Sequence, residues 1–538
     1  MADADVIIVG AGSAGCVLAA RLSEDPRLKV LLVEAGPKGG GFLVDMPAGT
    51  FRLMGGALDW GYPTEPDPSV GGRSFQWSGG RLLGGSSAIN GLVYIRGQRR
   101  DYDDWVAAGA RGWSWDEVFP YFLKAERFEG AKEQSHGQFG QLSVSPGRTQ
   151  HVLARAFVEA CGEAGLPRNP DYCGGTLDGA FPVLSTTGGG QRSSAAKAYL
   201  EPAMLRANLQ VLTGCVADRV LIVEGRAIGV RVMQNGQARD LFANAEVIVS
   251  SGAIGSPAIL LRSGLGPAEN LQPHGVPVIT DLRGVGRNLQ EHATIGLSKL
   301  VDVPTYNSPF HAGVLARNML HYLLFRGGPM TSAAVQAMAY AKSRPELAAP
   351  DIALSFLPLA ITYGGGRPAM HPQPGINIAG QLARPASRGE IRLRSASPDD
   401  RPVIAHRLLA ESDLPTLIAA AKLVARVFEA PALKRHVVGE NSPSPIPQTD
   451  ADWEAFIFER AGFGYHPTST CAMGDGPDAV TDSELRVRGV AGLRVIDASS
   501  MPNIVSGNTN APTIMLAERG ADLVKAALQS AARPASAA

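Results

Sequence analysis

Asp5-Val6-Ile7-Ile8-Val9-Gly10-Ala11-Gly12-Ser13-Ala14-Gly15, followed by Lys29-Val30-Leu31-Leu32-Val33-Glu34, decides how this chain is read. Asp5 to Val9 is a short apolar run that predicts a buried strand. A glycine turn follows, then a helix through about Leu22, and Lys29–Val33 predicts a second buried strand. Gly10, Gly12 and Gly15 fit the spacing GxGxxG. The first glycine permits the tight turn, the second lets a pyrophosphate approach the backbone, and the third lets helix and strand pack closely. Ser13 and Ala14 then open the helix, whose first amides attract phosphate. Glu34, with Ala35 after it, closes the second strand where a carboxylate can accept hydrogen bonds from ribose hydroxyls. A glycine turn alone is weak evidence, and a strand-end glutamate is often just a solvated carboxylate. The strand, turn, helix and acidic residue together point to dinucleotide binding. They do not separate FAD from NAD.

Working outward, residues 40–105 are rich in Gly, Pro and Trp and read as a long, mostly irregular segment, which in a compact protein is usually functional. Leu209–Leu212 predicts a strand. Residues 217–245 alternate apolar and polar positions across two turn signals, Glu224-Gly225 and Asn235-Gly236, and predict a three-stranded meander. Glu246–Ser250 predicts a separate buried strand. Ser256-Pro257 reads as a helix start, with Ser as cap and Pro at the first helical position. Arg494–Asp497 predicts a late strand, and a helix is expected from near Pro512 past Leu528, before a frayed tail.

Composition narrows the class. Lys plus Arg equal Asp plus Glu at 50 each, so no basic footprint points to nucleic acid or an anionic membrane. The five cysteines (Cys16, Cys161, Cys173, Cys215, Cys471) are scattered without a CxxC pair. They read as reduced, mostly buried thiols rather than a disulfide framework or a zinc site. No H-E-x-x-H or paired His/Asp spacing suggests a metal. The N-terminus lacks the pattern of a signal peptide, and no apolar run approaches the ~20 residues of a membrane span. A soluble, cytoplasmic protein is the expectation. Peripheral attachment to the inner membrane would need no span.

Longer motifs go further. Gly80-Arg81-Leu82-Leu83-Gly84-Gly85-Ser86-Ser87-Ala88-Ile89-Asn90-Gly91-Leu92-Val93-Tyr94-Ile95-Arg96-Gly97 resembles the first signature of the glucose–methanol–choline oxidoreductase family. Gly252-Ala253-Ile254-Gly255-Ser256-Pro257, continuing to Gly266, resembles the second. Val285–His292 and Pro385–Gly389 are similar to further family segments. Tyr465-His466-Pro467, Asp497-Ala498-Ser499 and Asn508-Thr509-Asn510-Ala511-Pro512-Thr513 resemble its active-site region. The likeness runs over residues 5–525. It implies an α/β fold in which a Rossmann-like FAD-binding domain is interleaved with an α+β substrate-binding domain. Residues 1–300 would be mainly FAD-binding, with 40–105 and part of 150–200 on the substrate side. Residues 301–465 would be mainly substrate-binding, 466–525 would return to the FAD domain with the active site, and 526–538 would be a tail.

The residues make physical sense of that likeness. Gly84 and Gly85 leave no side chain where the flavin edge must lie, and Ser86, Ser87 and Asn90 offer short polar groups to ring and ribityl oxygens. Arg81, Gly91, Leu92 and Val93 belong to the same run. The resemblance places Val216 at the adenine, through its backbone, and Trp60 near the flavin. Ser251, Gly252, Asp497, Ala498, Asn510, Pro512 and Thr513 complete the expected FAD contacts. No histidine lies in Gly80–Asn90, so non-covalent FAD is expected.

Oxidising an alcohol by hydride transfer needs a base for the hydroxyl proton and an anchor for its oxygen. The chain has ten histidines, most of them ordinary. By resemblance His466 is the active-site histidine and base, and Asn510, which is also a natural helix cap, is the second member of the catalytic pair. A helix from near Pro512 would point its positive end at negative charge on a reduced flavin. Cys471 lies near His466 but nothing marks it as activated, and no G-x-S-x-G elbow is present. The expectation is a small, uncharged primary or aryl alcohol oxidised to the aldehyde, with oxygen or a quinone-like acceptor reoxidising the flavin. Choline dehydrogenase, and hydroxymethylfurfural-oxidase-like enzymes, stand close by resemblance. An FAD-containing lyase of the same fold, a scaffold with a dead site and a simple NAD dehydrogenase are the competing readings. Intact His466, Asn510 and flavin motifs argue against the scaffold, and Gly80–Gly97 and the terminal Asn510 segment have no role in the NAD enzyme.

Overall fold

A computed structural model describes residues 2–130, 134–308, 312–364 and 367–532. Ala4–Val9 is the predicted first strand, flanked in parallel by Val30–Val33 on one side and by Ala243–Val249 on the other. Leu209–Leu212 extends the sheet beyond Val30–Val33, and Leu493–Val495 pairs with Val247–Val249. Val6, Ile7 and Ile8 are fully buried, because helices or other chain segments cover both faces, as parallel sheets require. Each such side chain contributes roughly 1.5–3 kcal/mol of burial.

The meander forms as two hairpins, with positive φ at both residues of each turn: Glu224 and Gly225, then Asn235 and Gly236. That handedness matches the strand twist. One boundary differs. The third meander strand and the expected separate strand at Glu246 are a single strand, Gln237–Val249. Its first half pairs antiparallel within the meander and its second half parallel with Ala4–Val9. Ala243-Asn244-Ala245 holds no Gly or Pro to break it.

The helix expected at Ser256-Pro257 starts five residues earlier and spans Gly252–Arg262, with Ser251 at its N-cap and Pro257 inside it. An internal proline cannot bond the carbonyl four residues back. Here that carbonyl, of Ala253, accepts the Thr470 hydroxyl at 2.7 Å. The last helix, Asn510–Ala532, likewise begins before Pro512 and runs past Leu528 as expected; residues 533–538 lie outside the described residues. This helix packs beside Ser13–Leu22, joined by a bidentate Arg21–Glu518 pair at 2.8 Å.

A second, antiparallel sheet orders as Val437–Ser442, Ala293–Val301, Gly375–Leu382, Ile352–Leu357, Ala337–Ala341 and Gly179–Pro182. Gly462–Phe463 pairs with the start of Ala293–Val301. Helix Leu414–Glu429 covers it through Leu417, Ala420, Ala421, Val424 and Val427. His466 follows Phe463 by three residues, so this pairing helps place the site. All five cysteines are unbonded and buried. Among the described residues no helix is long and apolar enough to cross a membrane.

Candidate functional site

The glycine turn is built for close approach. Gly10 has φ of +103°, and a Cβ on Gly15 would lie 1.8 Å from the Gly10 carbonyl oxygen. Gly12 is different, because a Cβ there would meet nothing within 4 Å. It faces open space at the start of Ser13–Leu22, a helix whose N-terminus has no side-chain cap. Unpaired first-turn amides beside open space fit a pyrophosphate. The Gly84 N–H donates to Ala11 O at 2.8 Å, which lays the second glycine run against the first.

Glu34 is buried and accepts the Ala11 and Gly36 amides at 2.9 and 2.8 Å. Burial pushes its carboxyl up, and these amides partly offset the rise. Each oxygen keeps a second lone pair for a ribose hydroxyl. Ala35 lies between the two bonds. Val216 stands one residue beyond Cys215, whose amide donates to Glu34 O. Trp60 stacks on Tyr62 with centroids 5.5 Å apart, and the Arg81 guanidinium sits 4.8 Å from its ring. The Arg81 carbonyl in turn abuts Gly36. Trp60 is thus linked through Arg81 to the Glu34–Gly36 stretch.

Ser86 is exposed and its hydroxyl accepts the Gly80 amide at 3.2 Å, while the Ser87 hydroxyl donates to Gly84 O at 2.6 Å and accepts the Ala195 amide. Asn90 Oδ1 accepts from Leu92 N and from Arg192. Arg192, which the sequence did not single out, is buried and donates to the carbonyls of Val44, Ser87 and Asn90 and to Thr50 Oγ1. Burial without a bonded carboxylate pushes it down to about 9. It ties the segment 44–50 to the Gly80–Val93 run, of which Gly91 continues into the Val93–Tyr94 strand. Ser251 Oγ donates to Val9 O. Asp497 accepts Gly252 N and Ser256 Oγ on one oxygen and Ser499 N on the other, just ahead of Ala498.

Asn508 and Asn510 divide the expected roles. Asn508 Nδ2 lies 2.7 Å from His466 Nε2. Asn510 Oδ1 instead accepts Ser13 Oγ at 2.8 Å. The pairing of Asn510 with His466 is thus corrected to Asn508. The reason is that Asn510 is the first residue of its helix and turns toward Ser13, while Asn508 is in the preceding loop. Asn510 joins the N-termini of two helices, whose dipoles both favour negative charge between them. Thr513 Oγ1 bonds Thr509 O, and Pro512 sits in the first turn.

Behind His466 stand Glu291 and His292, both buried and both inside the quoted Val285–His292 motif, though their roles were missed. His466 Nδ1 and His292 Nδ1 are 2.9 Å apart. The Glu291 carboxylate accepts the backbone amides of His292 at 2.8 Å and of His466 at 2.9 and 2.7 Å. Burial drives Glu291 up to about 8, against the pull of these amides. Burial holds His292 down to about 4, and burial followed by the neighbouring His292 holds His466 well below the usual imidazole range. Cys471 is buried, which pushes its thiol far up. Among the described residues, two clusters are compact enough to suggest a metal: Glu291, His292 and His466, and His136, Asp171 and Cys173. In the first, the facing nitrogens bond each other and the carboxylate holds amides. In the second, burial pushes Cys173 up to about 12, against thiolate formation.

The family model of GMC oxidoreductases matches residues 4–294, and that of their C-terminal domain matches residues 385–517. The chain belongs to the GMC oxidoreductase family. It is 39% identical over 526 residues to an oxygen-dependent choline dehydrogenase of Brucella anthropi, covering 97% of this chain and 95% of that one. It is 40% identical to the human mitochondrial choline dehydrogenase, over 96% of this chain and 89% of the relative. The solved structure of pyridoxine 4-oxidase from Mesorbium loti superposes with a TM-score of 0.88 at 32% identity, covering 97% and 99% of the two chains. This GMC oxidoreductase is an FAD-dependent enzyme that oxidises alcohols.

Proposed function

We propose that the enzyme oxidises an uncharged primary or aryl alcohol to the aldehyde at His466 and Asn508. The observation that carries this reading is the 2.7 Å approach of Asn508 Nδ2 to His466 Nε2, which puts a base and a hydrogen-bond donor side by side. FAD, held without a covalent bond along the Gly10–Gly15 turn, supplies the hydride acceptor when bound. His466 Nε2 takes the hydroxyl proton, and neutral imidazole is the form held ready by burial. Asn508 donates to the substrate oxygen and holds it still while the negative charge develops. The Ser13 and Asn510 helix N-termini favour negative charge on the cofactor side.

The lean toward an uncharged alcohol rests on Glu291. It is the carboxylate that touches His466, yet its oxygens are spent on backbone amides and burial favours its neutral form. A quaternary ammonium would find little there. Choline is the second reading, supported by the relatives above and by the edge-on Phe463–Tyr465 pair next to His466, since aromatic faces attract cations. Steady-state assays with benzyl alcohol and choline decide between them, with kcat/KM expected to favour benzyl alcohol. A preference for choline would reverse the assignment. Oxygen or a quinone-like compound completes turnover, and oxygen uptake with and without a quinone analogue separates the two.

A further inference from the structure

His466 can act as a base at Nε2 only if its proton resides on Nδ1. Three observations bear on where that proton is. Asn508 presents an amide nitrogen to Nε2 at 2.7 Å, and an amide nitrogen only donates. His466 Nδ1 faces His292 Nδ1 at 2.9 Å, so one of the two must carry the hydrogen. His292 Nε2 is buried with no partner of standard geometry, and the carbonyls of Val505 and Ala383 lie against the same ring, whose Nδ1 is already turned to His466.

One assignment satisfies all three. His466 carries its proton on Nδ1 and donates it to His292 Nδ1. His292 carries its own on Nε2, toward the two carbonyls. The opposite assignment sets the Asn508 N–H against a His466 N–H and leaves a bare His292 nitrogen facing carbonyl oxygens. The backbone fixes this geometry. Glu291 clamps the amides of both histidines. The Gly464 amide donates to His292 O at 2.9 Å, and a Cβ on Gly464 would lie 2.8 Å from His466 Nδ1. Among the described residues, the titratable groups facing His466 are thus the His292 imidazole and the amide-bound Glu291 carboxyl, and no carboxylate bonds its ring.

Building on the alcohol-oxidising reading above, we propose that His292 is a positioning residue that fixes the tautomer of His466 and leaves Nε2 without a proton on its Asn508 side, where the substrate hydroxyl would meet it. It does the tautomer-setting work that a buried carboxylate does in a Ser-His-Asp triad, but without placing a charge there.

Two variants separate this role from simple packing. His292→Leu fills space without an acceptor, whereas Asn Oδ1 in His292→Asn stands where His Nδ1 does. Both are loaded with FAD and mixed anaerobically with alcohol. His292→Leu is expected to lower the limiting rate of flavin bleaching about 100-fold, within the range of general-base effects, with the alcohol Kd little changed. His292→Asn is expected to recover most of the rate. Nitrogen-15 histidine spectra of the FAD-loaded wild type, with His466 assigned by its loss in His466→Gln, should show a protonated Nδ1 and a bare Nε2. Bleaching by His292→Leu at the wild-type rate, equal slowing by Leu and Asn, or a protonated His466 Nε2 overturns the proposal. If His292→Leu does not load FAD, the wild-type spectrum and the Asn variant still decide it. If no alcohol bleaches the wild type, the alcohol reading fails, and the spectrum judges the tautomer on its own.

Discussion

The glycine turn at residues 10–15 and the loop-to-helix junction carrying Asn508 and Asn510 both flank the place where FAD belongs, yet they are constrained differently. In the turn the backbone itself is the functional surface. A Cβ on Gly15 has 1.8 Å to the Gly10 carbonyl oxygen, so the residue type is dictated by space. At the junction two chemically identical asparagines stand two positions apart. One faces His466 and the other faces Ser13. A close-packed backbone writes its function into residue identity. A loop writes it into direction, which a single sequence does not show.

The largest effect should come from breaking the turn. Gly15→Ala has no room for its methyl and is expected to yield no FAD-loaded protein, read as the loss of the visible flavin spectrum after purification. His466→Ala should retain FAD but slow anaerobic flavin reduction by about 10²–10⁴-fold, as for a lost general base. Next comes the asparagine contrast. Asn508→Ala should slow reduction about 100-fold, in line with losing one donor to a developing oxyanion. Asn510→Ala should cost about 1 kcal/mol of stability, for one hydrogen bond, and alter the reduction rate much less. Equal rate losses in both would erase the distinction drawn between them.

A smaller effect is expected with pH. Glu291 is held above its unfolded value, so the stability it contributes is full below about 4.5 and is lost as pH rises through about 8. Across that window wild type should lose up to about 1.4 kcal/mol per pH unit relative to Glu291→Gln, measured by chemical denaturation of both. His466 moves the other way in activity. Its working form is neutral and its pKa is depressed, so kcat/KM should stay flat as pH falls through 6.5 and decline only below. The smallest effect lies far from the site: Asn235→Ala, at φ +52° in a hairpin turn, should cost about 1 kcal/mol with activity unchanged.

Much of the first sheet was legible because its strands are short, apolar and bounded by glycine, and Asn235-Gly236 has one favoured turn geometry. What failed did so where distant parts of the chain decide. Pro257 reads as a helix start, but Thr470, far along the chain, takes the carbonyl that it frees. Ala243-Asn244-Ala245 carries no local signal that one strand serves two pairings. Within the site, His466 and the glycines were legible from their motifs. The motif holds both Asn508 and Asn510, and only the helix start at Asn510 shows which side chain turns away from His466. Arg192 gave no signal, since a lone arginine between Gln191 and Ser193 looks like any surface charge.

The central claim is that a bound alcohol is oxidised at His466. Anaerobic mixing of the FAD-loaded enzyme with a panel of primary, aryl and choline-type alcohols tests it most directly through the visible flavin band. At least one alcohol should bleach the band, at a rate that saturates with its concentration. A yellow, fully loaded enzyme that no alcohol bleaches would contradict it and bring forward the lyase chemistry of the same fold.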